Sequence, residues 1–241
     1  MTRRTHAAVV LALTLATFAC SGASSENEPL VVFAASSLTD VLSDVRPTAR
    51  YSFAGSDELA TQIREGAPAD VFASASPKLT RALFAEGLVE TPRTFAANEL
   101  VMAVSADDES IAGIEDLTRP DVKVVVAAPG VPAGDYTIEA LESLGRTDIL
   151  DRVVSREQDV KGVIGKVALG EADAGFVYAT DIGAGPDIRA ISLPPQAQPG
   201  IHYSVAVVSD TDDRGSAEAF VRSLLGSEGR AALLRAGFDV P

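Results

Sequence analysis

The stretch Val32-Phe33-Ala34-Ala35-Ser36-Ser37-Leu38-Thr39 joins an apolar run to a group of small hydroxyl residues. The β-branched and aromatic residues at its start are typical of a buried strand, and we predict a strand over Leu30–Ala34. The serines that follow are typical of a helix N-cap, and we predict a helix over Leu38–Val45. The folded part of the chain is therefore expected to begin with a strand followed directly by a helix.

The same alternation of strands and helices continues to the end of the chain. Further strands are predicted over Arg50–Ala54, Val71–Ser74, Leu100–Ser105, Lys123–Ala127, Ala174–Tyr178, Arg189–Leu193 and Ser204–Ser209. Further helices are predicted over Glu58–Glu65, Lys78–Glu86, Gly134–Leu144, Val160–Leu169, Ser216–Leu225 and Glu228–Ala236. This order predicts an α/β fold with mostly parallel sheets flanked by helices.

The composition excludes several classes of protein. The 241 residues carry a formal net charge of −14, and a chain this acidic lacks the basic face that a nucleic-acid partner requires. With 46% hydrophobic and 22% charged residues, the chain is globular and not disordered. Its single cysteine excludes an internal disulfide framework and a metal site built from several cysteines.

The N-terminus is typical of an export signal. Arg3 and Arg4 precede an apolar run over residues 7–18, which is too short to span a bilayer but suits a secretory signal. Cys20 follows this run and resembles the lipidated cysteine of a bacterial lipoprotein. We predict a signal peptide over 1–19 and a tether over 20–28 that is lipidated at Cys20. The alternative is an ordinary secretory signal with an incidental cysteine. Both interpretations predict export, either to the outer surface of the cell membrane or to the periplasm.

Signatures of catalysis are largely missing from the sequence. A Ser-His-Asp triad could use only His202 once the leader is removed, and no G-x-S-x-G motif accompanies it. The segment Gly162-Val-Ile-Gly165-Lys166 lacks both the spacing and the final hydroxyl of a P-loop. We expect no enzyme, no catalytic residues and no cofactor. An exported phosphate- or sulfate-ester hydrolase stays open as the less favoured alternative.

Four predicted helix starts share a chemistry that suits an anion. The first turn of a helix has N–H groups without intrahelical partners and the positive end of the helix dipole, and small residues let a ligand approach the backbone. Each start taken alone is an ordinary N-cap. Together they favour an anion site, and they lie at Ser36-Ser37-Leu38, Gly55-Ser56-Asp57, Val131-Pro132-Ala133-Gly134 and Gln158-Asp159-Val160.

These segments resemble the family of periplasmic molybdate-binding proteins, the substrate-binding components of molybdate ABC transporters. The likeness covers essentially the whole mature chain. It is carried by Val32–Thr39, Ser52–Ser56, Gly66-Ala-Pro-Ala-Asp-Val-Phe-Ala-Ser-Ala75, Val131–Tyr136, Asp159-Val-Lys-Gly162, Gly175-Phe-Val-Tyr178 and Tyr203-Ser-Val-Ala-Val207.

The resemblance implies the two-lobed periplasmic-binding-protein fold of type II, also called a Venus flytrap. Lobe one is then expected at 29–102 and 204–241, and lobe two at 103–203. The chain would cross between the lobes near Val101–Val104 and near Tyr203–Val205. The anion would sit in the cleft and hold the lobes closed.

The resemblance also implies which residues hold the oxyanion. Three side-chain hydroxyls and two main-chain amides are expected to contact the oxygens of molybdate, without ligating the metal directly: those of Ser37, Ser56 and Tyr178, and those of Ala133 and Val160. Tungstate is nearly the same size and charge, so it is an equally suitable ligand, and sulfate or another tetrahedral oxyanion is the alternative. For Tyr178, packing of the ring within lobe two is the structural alternative.

Two departures from the family pattern lie near the two serines. The segment between Ser37 and Ser56 is shorter than the family usually has, which concerns the length of the first helix. Asp57 and Glu58 follow the second serine, and their carboxylates would repel a dianion if they faced it. We expect both to point away from the ion.

The function implied by the resemblance is the capture of molybdate, or of tungstate, outside the cytoplasm. The protein would act as a monomer and deliver the ion to the permease and ATPase subunits of an ABC importer. Its link to the membrane would be the lipid on Cys20.

Overall fold

The computed structural model describes residues 29–183 and 187–241, so the predicted signal peptide, Cys20 and the tether lie outside the described residues. Within those two ranges the chain forms ten strands: β1 (Val31–Ala35), β2 (Arg50–Ala54), β3 (Val71–Ser74), β4 (Arg93–Asn98), β5 (Leu100–Ser105), β6 (Val124–Ala127), β7 (Val153–Glu157), β8 (Ala174–Tyr178), β9 (Ile188–Ser192) and β10 (Ile201–Val207).

The same two ranges contain seven α-helices and five 3-10 turns. The helices are α1 (Thr39–Val45), α2 (Ser56–Arg64), α3 (Pro77–Ala85), α4 (Pro132–Ser143), α5 (Val160–Ala168), α6 (Arg214–Leu225) and α7 (Ser227–Arg235). The 3-10 turns are Ser36–Leu38, Ile114–Thr118, Thr147–Arg152, Ala179–Asp181 and Pro195–Ala197. Among the described helices, none combines the length and the apolar composition needed to cross a membrane.

The strands form two five-stranded sheets, one in each lobe. The first has the order β2-β1-β3-β10-β4 and the second the order β7-β6-β8-β5-β9. In each sheet four strands point the same way and one, β10 or β5, runs antiparallel to both of its neighbours. The predicted α/β fold with mostly parallel strands and flanking helices is confirmed.

The two reversed strands are the ones that follow the crossings between the lobes. The chain crosses once at Glu99, between β4 and β5, and again between β9 and β10. All of β5 pairs within the second sheet, and β10 pairs with the first sheet from Ile201 onward. The boundaries expected near Val101–Val104 and Tyr203–Val205 are therefore a few residues too late. The reason is that an apolar run marks a strand without marking the sheet to which it belongs.

Two strands of the structure are absent from the sequence prediction. Strand β7 lies at the edge of the second sheet, where its residues alternate between half-buried and exposed and include the charged Arg156 and Glu157. Strand β4 lies at the edge of the first sheet and contains alanines, which have low strand propensity. Both strands form because a neighbouring strand offers a partner, which is a tertiary effect.

A side-chain amide ties the two crossings to each other. Gln198 lies on the connection that leads into β10, and its Oε1 accepts a hydrogen bond from the Leu100 N–H at 3.0 Å. Its Nε2 donates to the Leu100 carbonyl oxygen at 2.9 Å. The second crossing is thus bonded to the first residue of β5 in the way that a neighbouring strand would be.

Candidate functional site

A small cavity lies between the lobes, where four helix starts meet. Its interior volume is only about 10 Å³, far below the roughly 300–1,000 Å³ of most sites for organic ligands, so its size suits a small ion. The structure brings all five residues of the expected oxyanion site to this cavity. Its lining consists of Ala35, Ser36, Ser37, Ala54, Gly55, Ser56, Ala75, Val131, Pro132, Ala133, Asp159, Val160 and Tyr178.

Ser37 reaches the cavity from the 3-10 turn that follows β1 and precedes α1. Its side chain is buried, and its Oγ lies 2.9 Å from the hydroxyl of Tyr203. Helix α1 is only seven residues long, in agreement with the short segment between the two serines. The start of the helix keeps its place at the end of β1.

Ser56 is the first residue of α2 and is almost completely buried. Its Oγ accepts a hydrogen bond from the Ala75 N–H at 3.1 Å. A backbone N–H can only donate, so this contact occupies a lone pair of the serine oxygen and leaves its proton available. Ser56 is therefore arranged to donate to an acceptor in the cavity.

The starts of α4 and α5 supply main-chain donors from lobe two. Pro132 occupies the first position of α4, and the next residue, Ala133, has an N–H in the first turn of that helix, where no intrahelical acceptor exists. Val160 is the first residue of α5, whose N-cap Asp159 accepts from the Gly162 N–H at 2.9 Å. The amides of Ala133 and Val160 thus belong to groups that need an external acceptor.

A close approach of main chains fixes the position of α4. A Cβ atom added to Gly134 would lie 2.3 Å from the Ala128 carbonyl oxygen and 2.5 Å from that of Ala127. Only glycine lets the first turn of α4 pack this tightly against the end of β6. The Ala133 amide is held at the cavity as a result.

Tyr178 ends β8 and is the one aromatic side chain among the described residues that line the cavity. Only 1% of the residue is exposed, and its hydroxyl has no hydrogen-bond partner within the described part of the chain. Burial raises the pKa of this hydroxyl well above its usual value, so Tyr178 keeps its proton and can act as a donor. A buried hydroxyl without a partner costs free energy, which a ligand that accepts its hydrogen bond would recover.

Acidic side chains near the second serine stay out of the cavity. Asp57 lines a neighbouring groove, not the cavity, and Glu58 is exposed. Burial, with a contribution from the charge of Asp135, raises the pKa of Asp57. Neither Asp57 nor Glu58 is among the described residues that line the cavity.

The structure also shows supporting contacts of the two serines that the sequence analysis did not identify. Ala75 orients Ser56 through its N–H, and Tyr203 and Asn98 form a hydrogen-bonded group behind Ser37. In the sequence analysis Tyr203 began a segment that carries the family resemblance and marked the expected second crossing, without a role at the site. These contacts span 19 to 166 positions of the chain, so no local pattern could reveal them.

The charged groups of the site are few. Among the described residues that line the cavity, no lysine, arginine or histidine occurs, and Asp159 is engaged as a helix cap. No group of three or more His, Cys, Asp or Glu residues that could hold a metal ion is found in residues 29–183 and 187–241. The chemistry offered to a ligand is thus that of neutral hydrogen-bond donors at helix starts.

Comparison with known proteins gives consistent similarities. Residues 30–239 match the family described as bacterial extracellular solute-binding protein. The molybdate-binding protein ModA of Mycobacterium tuberculosis is 34% identical over 233 residues, which are 92% of this chain and 88% of that protein. The substrate-binding domain of a putative molybdenum ABC transporter from Clostridium difficile is 31% identical with a TM-score of 0.67, over 88% of this chain and 99% of that one.

A further solved structure is similar in fold. The periplasmic molybdate-binding protein of Azotobacter vinelandii superimposes with a TM-score of 0.80 at 24% identity, over 88% of this chain and 99% of that one. At this identity the similarity concerns the two-lobed architecture.

Proposed function

The chain belongs to the family of bacterial extracellular solute-binding proteins, and within that family we propose that it captures molybdate, or the equivalent tungstate, for delivery to an ABC importer. The observation that carries the proposal is the set of hydrogen-bond donors around the cavity. Two serine hydroxyls come from lobe one, and a tyrosine hydroxyl and two helix-start amides come from lobe two: Ser37 and Ser56, and Tyr178, Ala133 and Val160.

Neutral donors are sufficient to hold a dianion in this setting. A hydrogen bond to a charged acceptor contributes about 1.5–3 kcal/mol, and the positive ends of helix dipoles add to the attraction. Helices α2, α4 and α5 begin at the cavity, so the positive ends of three helix dipoles lie beside it. Because donors come from both lobes, the ion links the lobes when it binds.

The all-donor set also favours one class of oxyanion. Molybdate, tungstate and sulfate present only acceptor oxygens, whereas hydrogen phosphate has a hydroxyl that needs an acceptor. Leaving that hydroxyl unpaired costs about 1–3 kcal/mol. Discrimination against hydrogen phosphate is therefore part of the proposal.

Binding without catalysis is the activity that we propose. The relatives are substrate-binding transport proteins, and ester hydrolysis would need an activated nucleophile or a general base. Asp159 supplies the one carboxylate in the described part of the cavity lining; it accepts the Gly162 N–H and is thereby committed to the start of α5. Nothing in the cavity favours the alternative of a hydrolase.

The route of the protein in the cell completes the proposal. We propose that residues 1–19 direct export, that Cys20 is lipidated, and that the mature monomer is held at the outer surface of the membrane near its permease and ATPase partners. Replacing Cys20 by Ala should release the protein from the membrane fraction. Unchanged fractionation would refute the anchor and leave the binding proposal intact.

Calorimetric titration of the purified chain with molybdate, tungstate, sulfate and hydrogen phosphate tests the proposed ligand. We expect strong binding of the first two ions and weak binding of hydrogen phosphate. Ser56→Ala should weaken molybdate binding roughly 10-fold or more, because it removes a donor to a charged acceptor. The matched control is Ser43→Ala, which removes an exposed hydroxyl that bonds only the Thr39 carbonyl. Equal affinities for molybdate and hydrogen phosphate would refute the proposal.

A further inference from the structure

A chain of hydrogen bonds behind Ser37 has a direction that follows from the donors and acceptors of its members. Asn98 is the last residue of β4, and its Oδ1 accepts from the Glu99 N–H at 2.9 Å. A backbone N–H can only donate, so this contact identifies which side-chain atom of Asn98 is the oxygen. The other atom, Nδ2, must donate, and it lies 2.8 Å from Thr180 Oγ1 and 3.4 Å from the Tyr203 hydroxyl.

The direction continues from Tyr203 to Ser37. The Tyr203 hydroxyl accepts from Asn98, and it has one proton to give. Its remaining partner is Ser37 Oγ at 2.9 Å. In the arrangement that gives every proton an acceptor among the described residues, Tyr203 donates to Ser37, and the proton of Ser37 stays available for an acceptor in the cavity.

We propose that Asn98 and Tyr203 are positioning residues that fix Ser37 as a donor and thereby set the preference of the site for fully deprotonated oxyanions. This inference rests on the proposed function and deepens it. A serine hydroxyl by itself can donate or accept, and one that is free to rotate would accept the hydroxyl of hydrogen phosphate. When Tyr203 occupies one lone pair of its oxygen, Ser37 pairs its own proton best by pointing it into the cavity, where that proton would face the hydroxyl proton of hydrogen phosphate.

Burial makes this arrangement effective. Tyr203 is completely buried, and Asn98 is 8% exposed, so water does not compete with these bonds. The Tyr203 ring packs in T-shaped contacts with Phe238 and Tyr178, at centroid distances of 5.3 and 5.9 Å. Burial raises the pKa of the Tyr203 hydroxyl well above its usual value. Tyr203 therefore keeps, at neutral pH, the proton with which it bonds Ser37.

The second serine has the same polarity by a different route. The Ala75 N–H donates to Ser56 Oγ, so the main chain fixes its direction and side-chain substitution cannot change it. Ser37 is thus the hydroxyl of lobe one whose direction depends on other side chains. Selectivity should respond to changes at Tyr203 and Asn98 without any change in the residues that contact the ion.

The first test is Tyr203→Phe, measured by competition of hydrogen phosphate against molybdate at about pH 8, where both ions are dianions. The variant keeps the ring contacts but leaves Ser37 free to accept. Molybdate affinity should fall about three- to tenfold, and the ratio of molybdate to hydrogen phosphate affinity should fall at least tenfold. A merely structural role would weaken both ions equally. The matched control is Tyr51→Phe, whose hydroxyl bonds the Leu42 and Arg46 carbonyls away from the cavity.

The second test reverses the direction of the hydrogen bonds that run from Asn98 through Tyr203 to Ser37. In Asn98→Asp the carboxylate accepts from Tyr203, Tyr203 then accepts from Ser37, and Ser37 turns a lone pair to the ligand. The ratio should fall further than in Tyr203→Phe. The double variant Asn98→Asp, Tyr203→Phe keeps the added charge but lacks the hydroxyl that connects residue 98 to Ser37. Its ratio of molybdate to hydrogen phosphate affinity should therefore return to that of Tyr203→Phe.

The outcomes separate this inference from the proposed function. If the wild-type chain binds molybdate but the ratio in Tyr203→Phe stays within about twofold of the wild-type value, the positioning role is refuted and the binding proposal stands. The same holds if the added charge lowers the ratio equally with and without Tyr203. A wild-type chain that binds no oxyanion overturns both.

Discussion

At the scale of single residues, the hydroxyl of Tyr178 is a donor held ready for a ligand. Because it has no partner within the described chain, removing it leaves no protein group unpaired. Tyr178→Phe should therefore leave the melting temperature of the ligand-free protein almost unchanged. Molybdate affinity should fall about 10- to 150-fold, the loss of one hydrogen bond to a charged acceptor. Calorimetric titration and thermal melts with and without molybdate measure the two effects.

The structural alternative for Tyr178 makes the opposite prediction. If the ring serves only packing, Tyr178→Phe would bind molybdate as the wild type does. The ligand-induced rise in melting temperature, which depends on affinity, would then stay the same. That result would remove Tyr178 from the proposed donor set.

A second prediction at this scale concerns the buried carboxylate of Asp181. Its side chain is fully buried, with Lys161 Nζ at 3.5 Å, and Lys161 also lies 3.6 Å from the exposed Asp40 across the cleft. Burial raises the pKa of Asp181 from 3.8 to about 6, against the opposing effect of Lys161. The folded chain thus holds this proton more tightly than the unfolded chain, so the free energy of unfolding falls as the pH rises from about 4 to about 6.

Asp181→Asn should remove the fall in the free energy of unfolding that the wild type shows between about pH 4 and about pH 6. At pH 4 the wild-type carboxyl is protonated and resembles the amide, so the variant should differ little in stability. Above pH 6 the variant should be more stable than the wild type, by up to about 3 kcal/mol. Denaturant unfolding at about pH 4 and pH 7.5 measures the difference. A stability difference that is the same at both pH values would contradict the assignment of the proton to Asp181.

At the scale of secondary structure elements, two helical glycines of the second lobe have opposite surroundings. A Cβ atom on Gly134 would collide with the carbonyl oxygens that end β6, whereas one on Gly165 in α5 would meet nothing within 4 Å. Gly134→Ala should push the start of α4 outward, lower stability by about 1–3 kcal/mol and weaken molybdate binding. Gly165→Ala should raise stability by about 0.5–1 kcal/mol and leave binding unchanged.

The two variants control for each other, because each adds one methyl group to a helix of lobe two. Unfolding titrations and calorimetry on both variants decide the matter. If Gly134→Ala binds molybdate like the wild type, the tight packing of α4 does not position the Ala133 amide.

The secondary structure elements also show what local sequence could predict. The starts of α2, α4 and α5 were visible because capping residues, proline and glycine act within a few positions of the chain. Strands β4 and β7 were missed because they form at sheet edges, where a neighbour and not the local pattern decides. The convergence of the helix starts on one cavity follows from the topology, and the sequence indicated it only through the shared chemistry of those starts and the family resemblance. Asn98 and Tyr203 were out of reach for the same reason, since a hydrogen bond over 105 positions has no local signature.

At the scale of the whole molecule, Gly55 controls how closely the lobes approach. A Cβ atom on this residue would lie 2.5 Å from the Gln158 carbonyl oxygen of the other lobe and 2.8 Å from Asp57 Oδ1. The φ angle of Gly55 is −58°, which alanine adopts without strain. Gly55→Ala should therefore leave each lobe folded but prevent full closure.

We expect Gly55→Ala to weaken every oxyanion by the same factor, roughly 5- to 150-fold, which corresponds to the cost of overpacking. The melting temperature without ligand should not change. Small-angle scattering should show less compaction at saturating molybdate than in the wild type. Compaction equal to that of the wild type, at wild-type affinity, would show that the lobes do not need this contact distance.

The pair of bonds between Gln198 and Leu100 limits how the lobes can move. Twisting one lobe against the other would separate the two crossings and break both bonds, whereas bending across them leaves the bonds intact. We therefore expect the lobes to move mainly by bending about an axis through the two crossings. Donors on opposite lobes then meet in the same register each time the lobes close, without a search over sideways displacements. An ion would leave by the reverse of the same rotation, so one transition state would lie on both the path of capture and the path of release.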